Sequence, residues 1–207
     1  MRIQANKQTL LSYKKNLQFL EKSLELLEYK RELIINEIRR RSIHADEERG
    51  EVNSNIKMAF QYLIASFMDT GRKAIKQISQ TSVPHFNFRV KEYSYMGVVL
   101  TDIAFIQEKM ERPIDYGLFN TSINLDNAMI QFQKAIGKIL NLASTETSIF
   151  RLMTELTKTQ RRINALEKIF VPEYKSTIKK IGFILDEKER SNISIVKILK
   201  ERLSKEK

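Results

Sequence analysis

A heptad pattern at each end of the chain limits what it can fold into more than any other feature. Positions 10, 13, 17, 20, 24, 27, 31, 34 and 38 are separated by alternating threes and fours. They hold Leu10, Tyr13, Leu17, Leu20, Leu24, Leu27, Arg31, Ile34 and Ile38. All but Arg31 are apolar or aromatic, which is the seam of a coiled coil and not merely one face of an amphipathic helix. The other end repeats the pattern with Leu156, Thr159, Ile163, Leu166 and Phe170, drifts through Tyr174 and Ile178, and resumes at Ile181, Leu185, Ile195 and Leu199. From Leu166 to Ile178 every step is four, a stutter that locally unwinds a left-handed supercoil. Pro172 lies inside it. Proline lacks an N–H and crowds the preceding turn, so a bent or underwound helix is expected there, without a break.

Two such seams in one chain predict a fold-back. The fold class is mainly α: a long antiparallel two-helix coiled coil formed by N- and C-terminal arms, with a small middle lobe containing a β-hairpin. At ~1.5 Å rise per residue the arms make a rod of about 90 to 110 Å. If both ends finish together, Ile38 comes near Phe170 and Leu17 near Asn192.

The first helix is expected from about residue 5 to 78. Its seam weakens between Arg39 and Asn55, where Ile43, Ala45 and Val52 are the only apolar residues and Gly50 costs ~1 kcal/mol relative to Ala. From Ile56 to Met68 the character reverses. Phe60, Phe67 and Met68 belong to an apolar run wider than one seam can use, so either a globular lobe or another subunit is expected to cover it. Val83-Pro84 does not continue a helix comfortably. Phe86, Phe88 and Val90 alternate with Asn87, Arg89 and Lys91, the period of a half-buried strand; a second extended run follows Gly97, giving a hairpin over about 86–106. The stretch from Glu108 to Asn124 reads as loop or short helices, and the last helix runs from about Leu125 to Leu203. The parts are thus 1–78, an N-terminal coiled-coil helix; 79–124, the middle lobe; and 125–207, a C-terminal coiled-coil helix, joined as one continuous structural unit.

Composition narrows the function classes. There is no Cys and no Trp, which excludes a disulfide scaffold and thiolate chemistry. Met1 to Tyr13 lacks the apolar core of a secretory signal, and no run approaches the ~18 apolar residues that span a bilayer. If membranes matter, they are met through partners, with no direct insertion. His44 and His85 are the only histidines, and neither has a neighbour at metal-ligand spacing. No Gly-x-x-x-x-Gly-Lys loop occurs. Carboxylate runs such as Asp46-Glu47-Glu48 stand beside Arg and Lys, where ion pairing explains them better than acid–base chemistry. Catalytic residues, cofactors and metals are expected to be none. The net charge of +11 is concentrated in the two arms, which suits an acidic partner surface. For a single cluster such as Arg39-Arg40-Arg41, a solvated face is the plainer reading.

The stretch Thr159-Gln160-Arg161-Arg162-Ile163-Asn164-Ala165-Leu166-Glu167, followed by Pro172, Thr177-Ile178, Ile181, Leu185-Asp186-Glu187 and Glu189-Arg190, resembles the C-terminal signature of the D subunits of A/V-type rotary ATPases. Lys30-Arg31-Glu32-Leu33, Tyr95-Met96-Gly97-Val98, and Tyr116-Gly117-Leu118 with Thr121-Ser122, Leu125-Asp126 and Ala128 agree in order. The chain departs in having Asn6-Lys7-Gln8 where the family usually shows Pro-Thr-Arg, and two arginines where it shows three. The resemblance implies a non-catalytic central stalk that transmits torque between an ATP-hydrolysing A/B-type hexamer and a membrane ion ring. Its implied partners are that hexamer, the small F subunit of the stalk, and a socket protein that links the stalk to the ring. It implies a cytoplasmic location, peripheral on the membrane. Arg161 and Arg162, with Asn164 and Glu167 beside them, become candidates for contact with the hexamer. Phe60, Phe67, Met68, Tyr95, Met96, Gly97 and Tyr116 become candidates for a stalk partner or for lobe packing. The alternative is a basic structural coiled coil that binds nucleic acid or a membrane surface; base-stacking aromatics are not interleaved with its basic residues, so nucleic acid is not expected.

Overall fold

The computed structural model describes residues 6–81, 87–106 and 121–205. Helix α1 spans Lys7–Thr70, α2 Arg72–Thr81 and α3 Ile123–Ala165; a π-helical turn over Leu166–Phe170 leads into α4, Val171–Lys205. Strands β1, Asn87–Tyr95, and β2, Val98–Ile106, form one antiparallel pair. Asn6 starts α1 as an N-cap, its Oδ1 accepting from the Thr9 N–H at 2.6 Å. The first helix ends earlier than the sequence suggests, because Gly71 takes a left-handed φ of 83° and separates α1 from α2. Ser122 opens α3, its Oγ accepting from the Leu125 N–H at 3.3 Å.

The chain divides into two compact units, Met1–Leu33 with Thr157–Lys207, and Ile34–Leu156. In the first, the N-terminal part of α1 pairs antiparallel with the end of α3 and with α4. Leu10, Tyr13, Leu17, Leu20, Leu24 and Leu27 are all partly covered, and Ile163 and Ile181 are buried opposite them. Arg31 replaces an apolar knob and donates to Gln160 Oε1 at 3.4 Å. The rings of Tyr13 and Tyr174 meet at 5.3 Å, while Lys7 pairs with Glu189 at 2.8 Å and Glu21 with Lys175 at 3.0 Å. Those two ion pairs are exposed, so they mark register more than they add stability.

This register corrects the expectation of flush ends. Leu17 lies between Tyr13 and Glu21, which meet residues 174 and 175, and so is not opposite Asn192. Lys7 pairs with Glu189, and α4 continues past it to Lys205. Ile195 and Leu199, expected in the seam, are 55% and 52% exposed because α1 offers them no partner. Phe170 is likewise exposed. It sits in the π turn, where the Val171 N–H bonds Leu166 O, an i→i+5 bond just ahead of Pro172. The underwinding expected of the stutter is therefore present, and its wider turn rotates Phe170 off the seam.

In the second unit, α1 pairs antiparallel with α3 through small residues. Ala45, Val52, Ala59 and Ser66, seven apart, are buried on α1, and Leu125, Ala128, Ala135, Ser144, Ser148 and Leu152 are buried on α3. The stretch that reads as weak in sequence is a seam of short side chains, which lets the helix backbones approach closely. Phe60 meets Phe132 edge to face at 5.4 Å, and Arg49–Glu146 (2.7 Å) and Lys138–Glu51 (2.8 Å) bridge the flanks. Ile34, Val98, Leu100 and Leu152 form one buried cluster, with Ile38, Tyr95 and Leu156 against it. Ile38 thus packs by the hairpin, within its own unit.

Thr159 is buried in the first unit, and its hydroxyl has no hydrogen-bond partner among the described residues. Thr159→Val keeps the shape and removes the unsatisfied group, so it should raise the unfolding free energy by about 1 kcal/mol in urea titrations. A loss of stability would contradict the packing described.

Candidate functional site

Helical spacing puts Glu37, Arg40 and Arg41 on one flank of α1. Arg40 donates to both Glu37 oxygens, from Nη2 at 2.8 Å and Nε at 3.1 Å, and Arg41 Nε donates to Oε1 at 2.7 Å. Arg41 also donates from Nη2 to the Tyr93 hydroxyl at 2.8 Å, tying β1 to the helix. Burial pushes the Glu37 carboxyl up, yet the hydrogen bonds and charges of the two guanidinium groups outweigh it and hold the carboxyl below its ordinary value of 4.5. The Arg39-Arg40-Arg41 cluster is therefore partly structural. Its signal in sequence is the glutamate three and four residues before Arg40 and Arg41.

Arg161 and Arg162 stand next to each other at the end of α3, both exposed and both without an ion pair among the described residues. Ile163 behind them is buried, so the helix cannot turn this pair inward without exposing the seam. Asn164 Oδ1 accepts from Gln160 Nε2 at 3.0 Å, the same glutamine whose Oε1 accepts from Arg31. Glu167 is exposed within the π turn. The four residues thus fall on one short stretch immediately before and inside the only underwound segment among the described helices.

The other candidates separate into two places. On α1, Phe60 and Met68 are 51% and 83% exposed, with Ile64 between them at helical spacing, whereas Phe67 is partly covered. Among the described residues no lobe lies over this face. At the hairpin tip Met96 and Gly97 both have positive φ, 52° and 80°, in the two-residue turn that the twist of paired strands favours. Tyr95 packs inward against the Ile34 cluster and Met96 points outward. Tyr116 and His85 lie outside the described residues. His44 is exposed beside Glu47 and Glu48. No described group of acidic residues and histidines is arranged to hold a metal ion, and no described helix is long and apolar enough to cross a membrane.

The profile of the family of ATP synthase D subunits matches residues 9–201. This chain belongs to that family. Similar proteins include the V-type ATP synthase D subunit of Thermotoga neapolitana, 30% identical over 99% of this chain and 100% of that one. The A-type ATP synthase D subunits of Methanopyrus kandleri and Pyrococcus furiosus are each 31% identical, covering 96% and 97% of this chain and 85% and 94% of theirs. Both paired arms and the hairpin fall inside the region shared with the D subunits, so membership concerns the whole fold and not one motif.

The Glu37 cluster makes a pH prediction. A carboxyl held lower in the folded chain adds stability that is complete above its unfolded value near 4.5 and is lost as pH falls through the folded value. Glu37→Gln should therefore lower stability at neutral pH and flatten the decline as the pH falls below the unfolded value, measured by denaturant titration from neutral pH into the acid range. An unchanged acid slope would show that Glu37 does not contribute.

Proposed function

We propose that the chain is the central rotor stalk of an A/V-type ATPase. It transmits torque between the ATP-hydrolysing catalytic hexamer and the membrane ion-translocating ring, in ATP-driven proton or sodium transport or in ATP synthesis. The observation that carries this reading is family membership over residues 9–201, in a chain whose distant ends pair as antiparallel helices. Bond-making belongs to the hexamer, and this chain acts through contacts alone. Its further partners are the small F subunit of the stalk and a socket protein at the ring, and it sits at the cytoplasmic face as a peripheral member of the complex.

A two-stranded stalk has unlike faces, so each catalytic interface around it meets a different surface at any instant. Turning it changes which interface gains which contacts, and that difference in contact energy is what couples rotation to nucleotide affinity. Arg161 and Arg162, exposed and unpaired among the described residues, are available for carboxylates of the housing, with Asn164 and Glu167 as polar neighbours. The end of α4, where Ile193, Ile195, Val196, Ile198 and Leu199 are all more than half exposed, supports a tip that is covered by the hexamer. Phe60, Phe67 and Met68, with Tyr95, Met96 and Gly97 at the hairpin tip, serve the stalk partner or the packing of the lobe.

Charge reversal of both arginines, Arg161→Glu with Arg162→Glu, should lower ATP-driven ion transport of the reconstituted motor by about fivefold or more while helix content is unchanged. Undiminished transport would remove the pair from the mechanism.

A further inference from the structure

The two strands of the hairpin differ in what covers their outer edges. Val99 O accepts from Arg151 Nη1 at 2.8 Å, and Thr101 O accepts from Ser144 Oγ at 2.8 Å and Ser148 Oγ at 3.3 Å, so α3 seals the edge of β2. These two carbonyls face away from β1. Their ladder partners, Ser94 and Glu92, must then turn their own N–H and C=O outward, and by two-residue alternation Val90 and Phe88 do the same. No backbone hydrogen bond reaches those four residues from that side among the described residues. Every residue of β1 from Asn87 to Ser94 is exposed. A long, open strand edge is a template for another chain, and sheets ordinarily shorten or cover it.

The side chains of β1 state what would fit. On one face Phe88 and Val90 are 58% and 51% exposed, and Val99 of β2, opposite Ser94 on the same face, is 48% exposed. On the other, Arg89 and Lys91 stand exposed, with Asp102 opposite Lys91. A second copy of the chain fits badly. Antiparallel pairing of β1 with itself centred on residue 89, 90, 91 or 92 sets Arg89 on Arg89, Arg89 on Lys91, Lys91 on Lys91 or Glu92 on Glu92, and like charges directly opposite are unfavourable.

We propose that the open edge of β1 accepts an extended segment of another polypeptide as a third strand. That segment places apolar side chains over Phe88 and Val90 and carboxylates over Arg89 and Lys91. Backbone hydrogen bonds supply affinity, and the alternating faces supply selectivity. The inference depends on the hairpin alone, so its failure leaves the stalk reading standing.

The test uses the full chain and two nine-residue peptides, one alternating valine with glutamate and one alternating valine with lysine. The glutamate peptide should slow amide hydrogen exchange at Phe88, Val90, Glu92 and Ser94 and bind roughly tenfold more tightly than the lysine peptide. Val90→Pro removes one outward N–H while leaving the ladder to β2 intact, and should abolish this protection. Arg89→Glu with Lys91→Glu should reverse the preference between peptides. Absent protection, equal protection by both peptides, or protection that instead grows with the concentration of the chain alone would each overturn the proposal.

Discussion

A helix with an apolar stripe along its length cannot leave that stripe in water, and α1 runs 64 residues with such a stripe on it. Among the described residues, α3 and α4 are the elements long enough to cover it. Burial of the seam is therefore the constraint from which the other features follow. It forces the two ends into antiparallel pairs, and it leaves the intervening residues to make a hairpin on the flank. The hairpin is held there by apolar burial at Ile34, Val98, Leu100 and Leu152, and by the polar tie from Arg41 to Tyr93.

Charge is divided between two uses. Lys7, Arg49, Lys138 and Lys175 are engaged in ion pairs between helices, and Arg40 and Arg41 pair with Glu37 on their own helix. Arg161 and Arg162 are not so engaged among the described residues, and the buried Ile163 fixes them outward. A basic surplus that looks uniform in composition thus separates into cations engaged with neighbouring carboxylates and cations left exposed and unpaired among the described residues. In the proposed stalk the second group is where torque and binding energy would be exchanged.

The seams are legible from Leu10 to Ile38 and from Thr159 to Leu185 because large apolar residues at threes and fours are a strong signal. Ala45, Val52, Ala59 and Ser66 are harder to read, since short side chains look like a weak seam although their seven-residue spacing is strict. Register is not legible at all. Heptad repeats match themselves at many offsets, and the overhang of α4 past Lys7 is set by specific pairs such as Tyr13–Tyr174. The alternation of β1 is correct, but the apolar face it defines is exposed in this chain. Pattern gives the period of a strand, not which side a partner will cover. The candidate arginines are legible through the family signature, whereas the Glu37 cluster needs three-dimensional contacts to be seen as structural.

Cross-linking tests the antiparallel pairing most directly, since the natural chain has no cysteine to interfere. A Glu21→Cys, Lys175→Cys double variant treated with a short bismaleimide should link within one chain, leaving its mass that of a monomer. A Leu17→Cys, Asn192→Cys variant should not. Linkage between two chains in the first variant, or preferential linkage in the second, would contradict the paired ends on which the account stands.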